Sequence, residues 1–351
     1  MSHTAHPAGQ VGIKDVARAA KVSVGTVSNV INRPDSVAEA TRNRVQAAIE
    51  RLGYVRSESA RQLRAGRSRM ISLLVLDMGN PFFVDMARGA ERAVRAAGLG
   101  VMVCNSAQDP AEEADYLALF AEQRVRGVLL TPADATGRTI DGFRRHGIPF
   151  VLVDRVAEGG TECSVSVDDV TGGTLAVRHL LEAGHREVAF VGGPARLRQV
   201  QDRREGALAA LAAAGLPPEA LREIPTERLD VAAGRDAGAR LLGLARRPTA
   251  VFCANDLLAL GLLQSMYAAG VRVPEELALV GYDDIEFASA AAVPLTSVRQ
   301  PAARMGALAA ELLLEELAVD AGAAQVKHSH RSVVLQPELV VRRSTLTVGH
   351  R

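Results

Sequence analysis

The chain has 351 residues, 48% hydrophobic and 23% charged, a balance that excludes fibrous and disordered classes and suits two or three globular domains. The net charge of +1 conceals an asymmetry: residues 1–69 carry 12 Lys and Arg against 5 Asp and Glu, which leaves the rest net −6. A basic head on an acidic body suits a protein that meets a polyanion at one end; a merely solvated basic surface is the competing reading.

No run of about 18 apolar residues is present, so no membrane partner is expected. The first ten residues hold His and Pro where a secretory signal would be charged and then apolar, so the chain is expected in the cytoplasm. Cys104, Cys163 and Cys253 are odd in number and far apart, set among apolar neighbours without CxxC spacing. They read as buried reduced thiols rather than metal ligands.

After a tail at 1–10, residues 11–56 read as three short helices. Ile13, Val16, Ala17 and Ala20 share one helical face. Val27, Val30 and Ile31 form a second stripe after Ser23, an N-cap candidate. A third segment, 38–54, points Val45, Ala48, Ile49 and Leu52 inward and ends at Gly53. On the second helix Gly25, Asn29, Asn32 and Arg33 lie opposite the apolar stripe, with Thr26 and Ser28 on its flanks. Such a small polar face can enter a major groove about 12 Å wide, where Asn pairs with adenine and hydroxyls reach phosphates; plain surface polarity is the alternative.

Residues 57–69 read as a hinge and linker. The eight-residue stretch SESARQLR (57–64) is shorter than the ~12–15 residues an isolated helix needs, so it is expected to order only with help. A plain Arg/Ser linker is the other reading.

From Met70 onward apolar strands alternate with amphipathic helices, the pattern of parallel sheets covered on both faces. Two runs of this pattern predict two Rossmann-like lobes within 70–351, one from about 70–168 plus 296–326, the other from about 169–295 plus 327–343. The carboxyl ends of the strands carry Asp77, Asp154, Arg155, Asn255, Asp256 and Asp283, where open α/β sheets bind ligands. Asp154, Asp256 and Asp283 can equally cap turns or helices. There is no GxGxxG after a strand, no GxxxxGK[ST], no HExxH and no GxSxG. The chain is therefore not expected to be an enzyme or to hold a cofactor, and His328 and His330 read as a strand crossing rather than a metal site.

The strings IKDVARAAKVSVGTVSNVIN, RVQAAIERLGYVRSESARQLRAG and VVLQPELVVRRS resemble the LacI/GalR family of bacterial transcription regulators across nearly the whole chain. That resemblance implies an N-terminal all-α helix-turn-helix head on an α/β periplasmic-binding-protein-like body of two Rossmann-like subdomains. It implies base contacts from Val24, Gly25 and Asn29, with a methyl contact to thymine open to Val24. Backbone contacts would come from Lys14, Thr26, Ser28, Asn32 and Arg33. The hinge would add Ala60 and Leu63, the latter as a minor-groove wedge.

In the body the resemblance implies Phe82 and Phe83 as a lid over the effector and Arg203 as its clamp. The sequence alone also allows Arg203 to pair with Asp202 or Glu205. The implied partners are operator DNA with an inverted repeat, a second copy of the chain and a small effector, a sugar first and a purine or nucleoside second. A tetramer also fits. A secreted solute receptor would need a signal peptide, and a fused sugar kinase or dehydrogenase would need a phosphate-cradling loop.

Overall fold

The computed structural model describes residues 11–55, 68–133, 137–157, 159–320 and 328–345. They fall into two units, Met1–Ser68 and Arg69–Arg351.

The first unit is built from α1 (Ile13–Ala20), α2 (Val24–Asn32) and α3 (Glu39–Leu52). Its core is Val16, Ala17 and Ala20 from α1, Val27 and Val30 from α2, and Val45 and Ala48 from α3, with Ile13, Ile31, Ile49 and Leu52 packed around them. Side chains of this size leave little area to bury, so the helix ends matter. Ser23 starts α2 by accepting a hydrogen bond from Thr26 N at 3.1 Å. Gly53, at φ 62, ends α3 in the left-handed conformation.

The second unit contains two six-stranded sheets. Strands β1 (Met70–Val75), β2 (Gly100–Asn105), β3 (Gly127–Leu130), β4 (Phe150–Val153), β5 (Cys163–Val167) and β11 (Ser332–Leu335) form the first, in the order β11-β5-β4-β3-β1-β2 and all parallel. Strands β6 (Val188–Gly192), β7 (Leu221–Pro225), β8 (Ala250–Cys253), β9 (Ala278–Asp283), β10 (Thr296–Arg299) and β12 (Glu338–Val340) form the second, in the order β12-β10-β9-β8-β6-β7. Only β12 runs antiparallel to its neighbour. Central strands such as β3 and β4 are buried at every position, which explains their unbroken apolar runs.

Helices α4 (Pro81–Ala96), α5 (Pro110–Glu122), α6 (Arg138–His146) and α12 (Ala302–Asp320) accompany the first sheet. Helices α7 (Asp169–Glu182), α8 (Arg198–Ala213), α9 (Val231–Leu242), α10 (Asp256–Ala268) and the short α11 (Glu286–Ala290) accompany the second. The α7 and α8 backbones touch: a Cβ on Gly173 would stand 2.0 Å from Arg203 O, and one on Gly206 2.0 Å from Val170 O.

The chain passes between the lobes at Asp168, at Gln300–Pro301 and at Gln336–Pro337. The last two differ from the expected division. Residues 296–299, expected with the first lobe, pair with β9 in the second sheet, Thr296 opposite Val280. Residues 332–335, expected with the second lobe, pair with β5 in the first, Ser332 opposite Ser164. A short apolar strand carries no mark of which sheet it joins; the ladder partner decides it.

Candidate effector cleft and DNA-reading face

On the head, burying Val27 and Val30 turns the remaining α2 positions outward. Gly25, Asn29, Asn32 and Arg33 are exposed, Thr26 and Ser28 are half-buried, and Val24 is 40% exposed. Asn32 Nδ2 donates to Ser28 O at 2.7 Å, which fixes its side chain along the helix. Lys14 is exposed on α1. These residues therefore offer a methyl group, an amide and hydroxyls along one short helix. Ala60 and Leu63 lie outside the described residues.

In the body, a cleft lies at the carboxyl ends of both sheets. Asp77, Asn80, Phe82 and Phe83 line it from the loop after β1 and the start of α4, Gln108 from the loop after β2 and Asp154 from the end of β4. Gln199 and Arg203 enter from α8, with Asn255, Asp283 and Gln300 from the ends of β8, β9 and β10. The two aromatic rings meet edge to face, with centroids 5.0 Å apart. The free volume is about 20 Å³, room for about one water molecule.

The cleft is narrow because its polar groups bond across it. Asn80 Nδ2 donates to Asp283 Oδ2 at 2.8 Å, and Gln199 Nε2 to Asp154 Oδ2 at 3.0 Å; each joins one lobe to the other. Gln300 Nε2 donates to Asp283 Oδ1 at 2.8 Å from the crossing segment. At the rim, Arg196 Nη2 donates to Gln108 O at 2.6 Å.

Arg203 is held from below. Its Nε donates to Asp169 Oδ1 at 2.8 Å and its Nη1 to Ala254 O at 2.7 Å, while its guanidinium carbon lies 3.8 Å from the centre of the Tyr282 ring. Burial alone would weaken its charge, but Asp169, Tyr282, Asp283 and Asp154 outweigh that and raise its pKa further.

The Asp154 carboxyl moves up well above the ordinary carboxylate range, first because it is buried and then because Asp169 is close, with Arg203 opposing. Asp283 is also raised, again by burial first, with Arg203 and its two amide donors opposing. Of the buried side-chain polar atoms that lack a hydrogen-bond partner among the described residues, four belong to residues lining this cleft: Asp154 Oδ1, both ends of the Gln108 amide and Gln300 Oε1. Unpaired buried groups cost about 1–3 kcal/mol each, so they call for a partner that the chain itself does not supply.

Backbone strain gathers here as well. Asp154 at φ 60, Asp283 at φ 101, Ala107 at φ 51 and Gln108 at φ 62 adopt left-handed conformations that non-glycine residues rarely take. Each follows or ends a strand at the cleft.

Residues 12–57 match the bacterial regulatory proteins of the lacI family, and residues 177–345 match a periplasmic binding protein-like domain. The HTH-type transcriptional repressor PurR of Aliivibrio fischeri (strain MJ11) is 36% identical over 339 residues, spanning 95% of this chain and 98% of that protein. The chain belongs to the lacI family. It is a DNA-binding transcriptional repressor of that family and not an enzyme. The solved lac repressor dimer bound to operator and the anti-inducer ONPF matches with a TM-score of 0.80 and 27% identity, covering 97% of this chain and 100% of that one. The complex of the transcriptional regulator CelR with cellobiose matches with a TM-score of 0.70 and 32% identity, covering 95% and 100%.

For a lacI-family body, seven of the nine expected effector residues come together at one cleft: Asp77, Phe82, Phe83, Asp154, Arg203, Asn255 and Asp283. Arg155 does not. It lines an adjoining depression with Ser166, Arg198 and Asp202, which shares Asp154 and Gln199 with the cleft. Asp256 does not either. Its carboxylate accepts from Ile285 N at 2.9 Å and Ser297 Oγ at 2.7 Å, fully buried, and pins β10 and the loop after β9.

Arg203 pairs neither with Asp202, which meets Arg198 at 2.8 Å, nor with Glu205, but with Asp169 one helix away. Asn80, Gln108, Gln300 and Asp169 were not singled out from the sequence. Only Asn80 left a signal, as the capping residue before Pro81, and that signal is structural: its Oδ1 accepts from Phe82 N at 3.1 Å. Among the described residues no helix is long and apolar enough to cross a membrane.

Proposed function

We propose that this repressor binds an operator through the outward face of α2, and that a small polyhydroxylated effector, a sugar, controls it from the cleft between the lobes. The supporting observation is the set of orphaned buried polar atoms, Asp154 Oδ1, the Gln108 amide and Gln300 Oε1, facing the same cleft as Arg203 and two phenylalanine rings. Carboxylates and amides accept from sugar hydroxyls, a guanidinium donates to their oxygens, and aromatic faces cover C–H surfaces. The cellobiose complex of CelR accords with this chemistry.

The effector would act by exchanging partners. Its hydroxyls would replace or reinforce the cross-lobe bonds Asn80–Asp283 and Gln199–Asp154, and so reset the angle between the lobes. The segment 57–69 would pass that change to the head. A coupling of ~1–3 kcal/mol changes operator affinity by about 5–150-fold. On DNA, Val24, Gly25 and Asn29 would meet bases while Lys14, Thr26, Ser28, Asn32 and Arg33 hold phosphates. A homodimer would read an inverted repeat.

A purine or nucleoside is the second reading, favoured by the likeness to PurR. A thermal-shift screen of ribose, glucose, cellobiose, hypoxanthine, guanine and adenosine separates the two, since a ligand that binds the native state raises the midpoint. A rise with the sugars alone supports the first reading, and a rise with the bases alone replaces it with the second. No rise with any ligand, together with operator affinity unmoved by all six, overturns control from this cleft.

A further inference from the structure

At the opposite end of β5 from the cleft, three side chains far apart in sequence converge. Cys163 opens β5 and is fully buried; His328 and His330 lie on the segment leading into β11, half-buried and exposed respectively. Cys163 Sγ stands 3.1 Å from His328 Nε2 and 3.9 Å from His330 Nδ1, and all three ligand atoms lie within 4.8 Å of one another. A tetrahedral zinc ion with Zn–S of about 2.3 Å and Zn–N of about 2.05 Å would hold sulfur and nitrogen roughly 3.6 Å apart. The two observed separations bracket that value.

We propose that Cys163, His328 and His330 form a binding site for a zinc-class divalent metal ion. One thiolate and two imidazoles are soft-to-borderline donors, which select zinc over magnesium or calcium. Three protein ligands leave the fourth position to a solvent oxygen, and the exposure of His330 keeps that side open. Binding replaces the thiol proton, which is released to solvent.

Burial pushes the Cys163 thiol up, and the Arg331 backbone N–H, which donates to Sγ at 3.4 Å, pulls it down; the charges of Glu316 and Glu315 add to the first effect and the charge of Arg331 to the second. A bound metal ion would fasten the residues just before β11 to β5. β11 is the outermost strand of the first sheet, and it leads directly through Gln336–Pro337 into β12 of the second lobe. The sequence argues against a metal at the cysteines and at the His328–His330 doublet taken separately, because Cys163 and His328 are 165 positions apart and no spacing motif links them.

The test uses the full-length protein, stripped with chelator and titrated with cobalt(II) and then zinc(II). One equivalent of cobalt per chain is expected to give a near-ultraviolet thiolate-to-metal band and the strong visible absorption of tetrahedral cobalt, displaced by zinc. Cys163→Ser is expected to abolish the band. Because Cys163 is buried and its replacement risks the fold, His330→Gln is the second variant: it should keep the metal-free unfolding midpoint and lose affinity by about tenfold or more. Zinc should raise the midpoint of the parent protein, raise that of His330→Gln less at the same zinc concentration, and leave that of Cys163→Ser unmoved. A band that survives Cys163→Ser, unchanged zinc affinity in His330→Gln, or no saturable thiolate band at all overturns the proposal.

Discussion

Arg203 Nε and Asp169 Oδ1 are 2.8 Å apart, with side chains only 3% and 6% exposed, on two helices whose backbones are in contact. A charge pair this deep stabilises little when intact, because burying both ions is costly, but removing one partner strands the other. Asp169→Ala is therefore expected to lower unfolding free energy by about 3–5 kcal/mol in urea titration. The exposed pair Arg178–Glu182, at 3.7 Å, is the control: Arg178→Ala should cost less than about 1 kcal/mol. Equal losses at the two sites would show that Arg203 finds another anion.

The same helix pair predicts a link between packing and ligand response. A methyl group on Gly173 would collide with the Arg203 carbonyl oxygen at 2.0 Å, and both sides of that contact are backbone, so only separation of α7 and α8 relieves it. Gly173→Ala is expected to cost about 1–3 kcal/mol, as overpacked cores do. It should also weaken whichever effector the screen returns, because α8 carries Gln199 and Arg203. Calorimetric titration checks this; lost stability with unchanged effector affinity would mean that α8 shifts without moving those two side chains.

How much of this was legible beforehand follows from what determines each feature. Apolar periodicity located the strands and helices, because burial of each element's face is a local pattern. Strand ends located the cleft, because parallel sheets present their carboxyl ends together, and Asp77, Asp154, Asn255 and Asp283 duly meet there. Partnership is not local. Arg203 chose Asp169 over its own neighbours, Asp256 turned inward to Ser297, and β10 and β11 each joined the sheet opposite to the expected one. Gln108 and Gln300 look like any polar residues after a strand until the two lobes are brought together.

Asp154 gives a pH dependence with a definite sign. Its carboxyl, raised by burial and by Asp169, keeps a proton in the folded state at pH values where the unfolded chain, with an ordinary value of about 3.9, has released it. Stability from this group is thus present at low pH and falls as pH rises from about 4 through the raised value. Asp154→Asn removes the titration, so the variant should melt higher than the parent protein at pH 7.5, with the gap closing toward about pH 4. Asp256 and Asp283 are raised too, so the slope flattens only in part. A gap independent of pH, in melts recorded between about pH 4.5 and 8, would show that Asp154 is ionised in the fold.

On the head, Asn29 and Arg33 should behave differently although both are exposed on one short helix. An Asn that reads adenine contributes about 1–3 kcal/mol of discrimination, so Asn29→Ala is expected to weaken the preferred operator by about 5–150-fold and random duplex hardly at all. Arg33→Ala, removing a phosphate contact, should weaken every duplex alike and reduce the salt slope by about one. Neither touches the core of Val16, Val27 and Val45, so the head's melting midpoint should stay within error of the parent protein. Fluorescence anisotropy across a salt series, with an operator selected from random duplexes, reads both effects. If Asn29→Ala lowered affinity for random duplex as much as for the operator, α2 would be gripping phosphates and sequence would be read by another element.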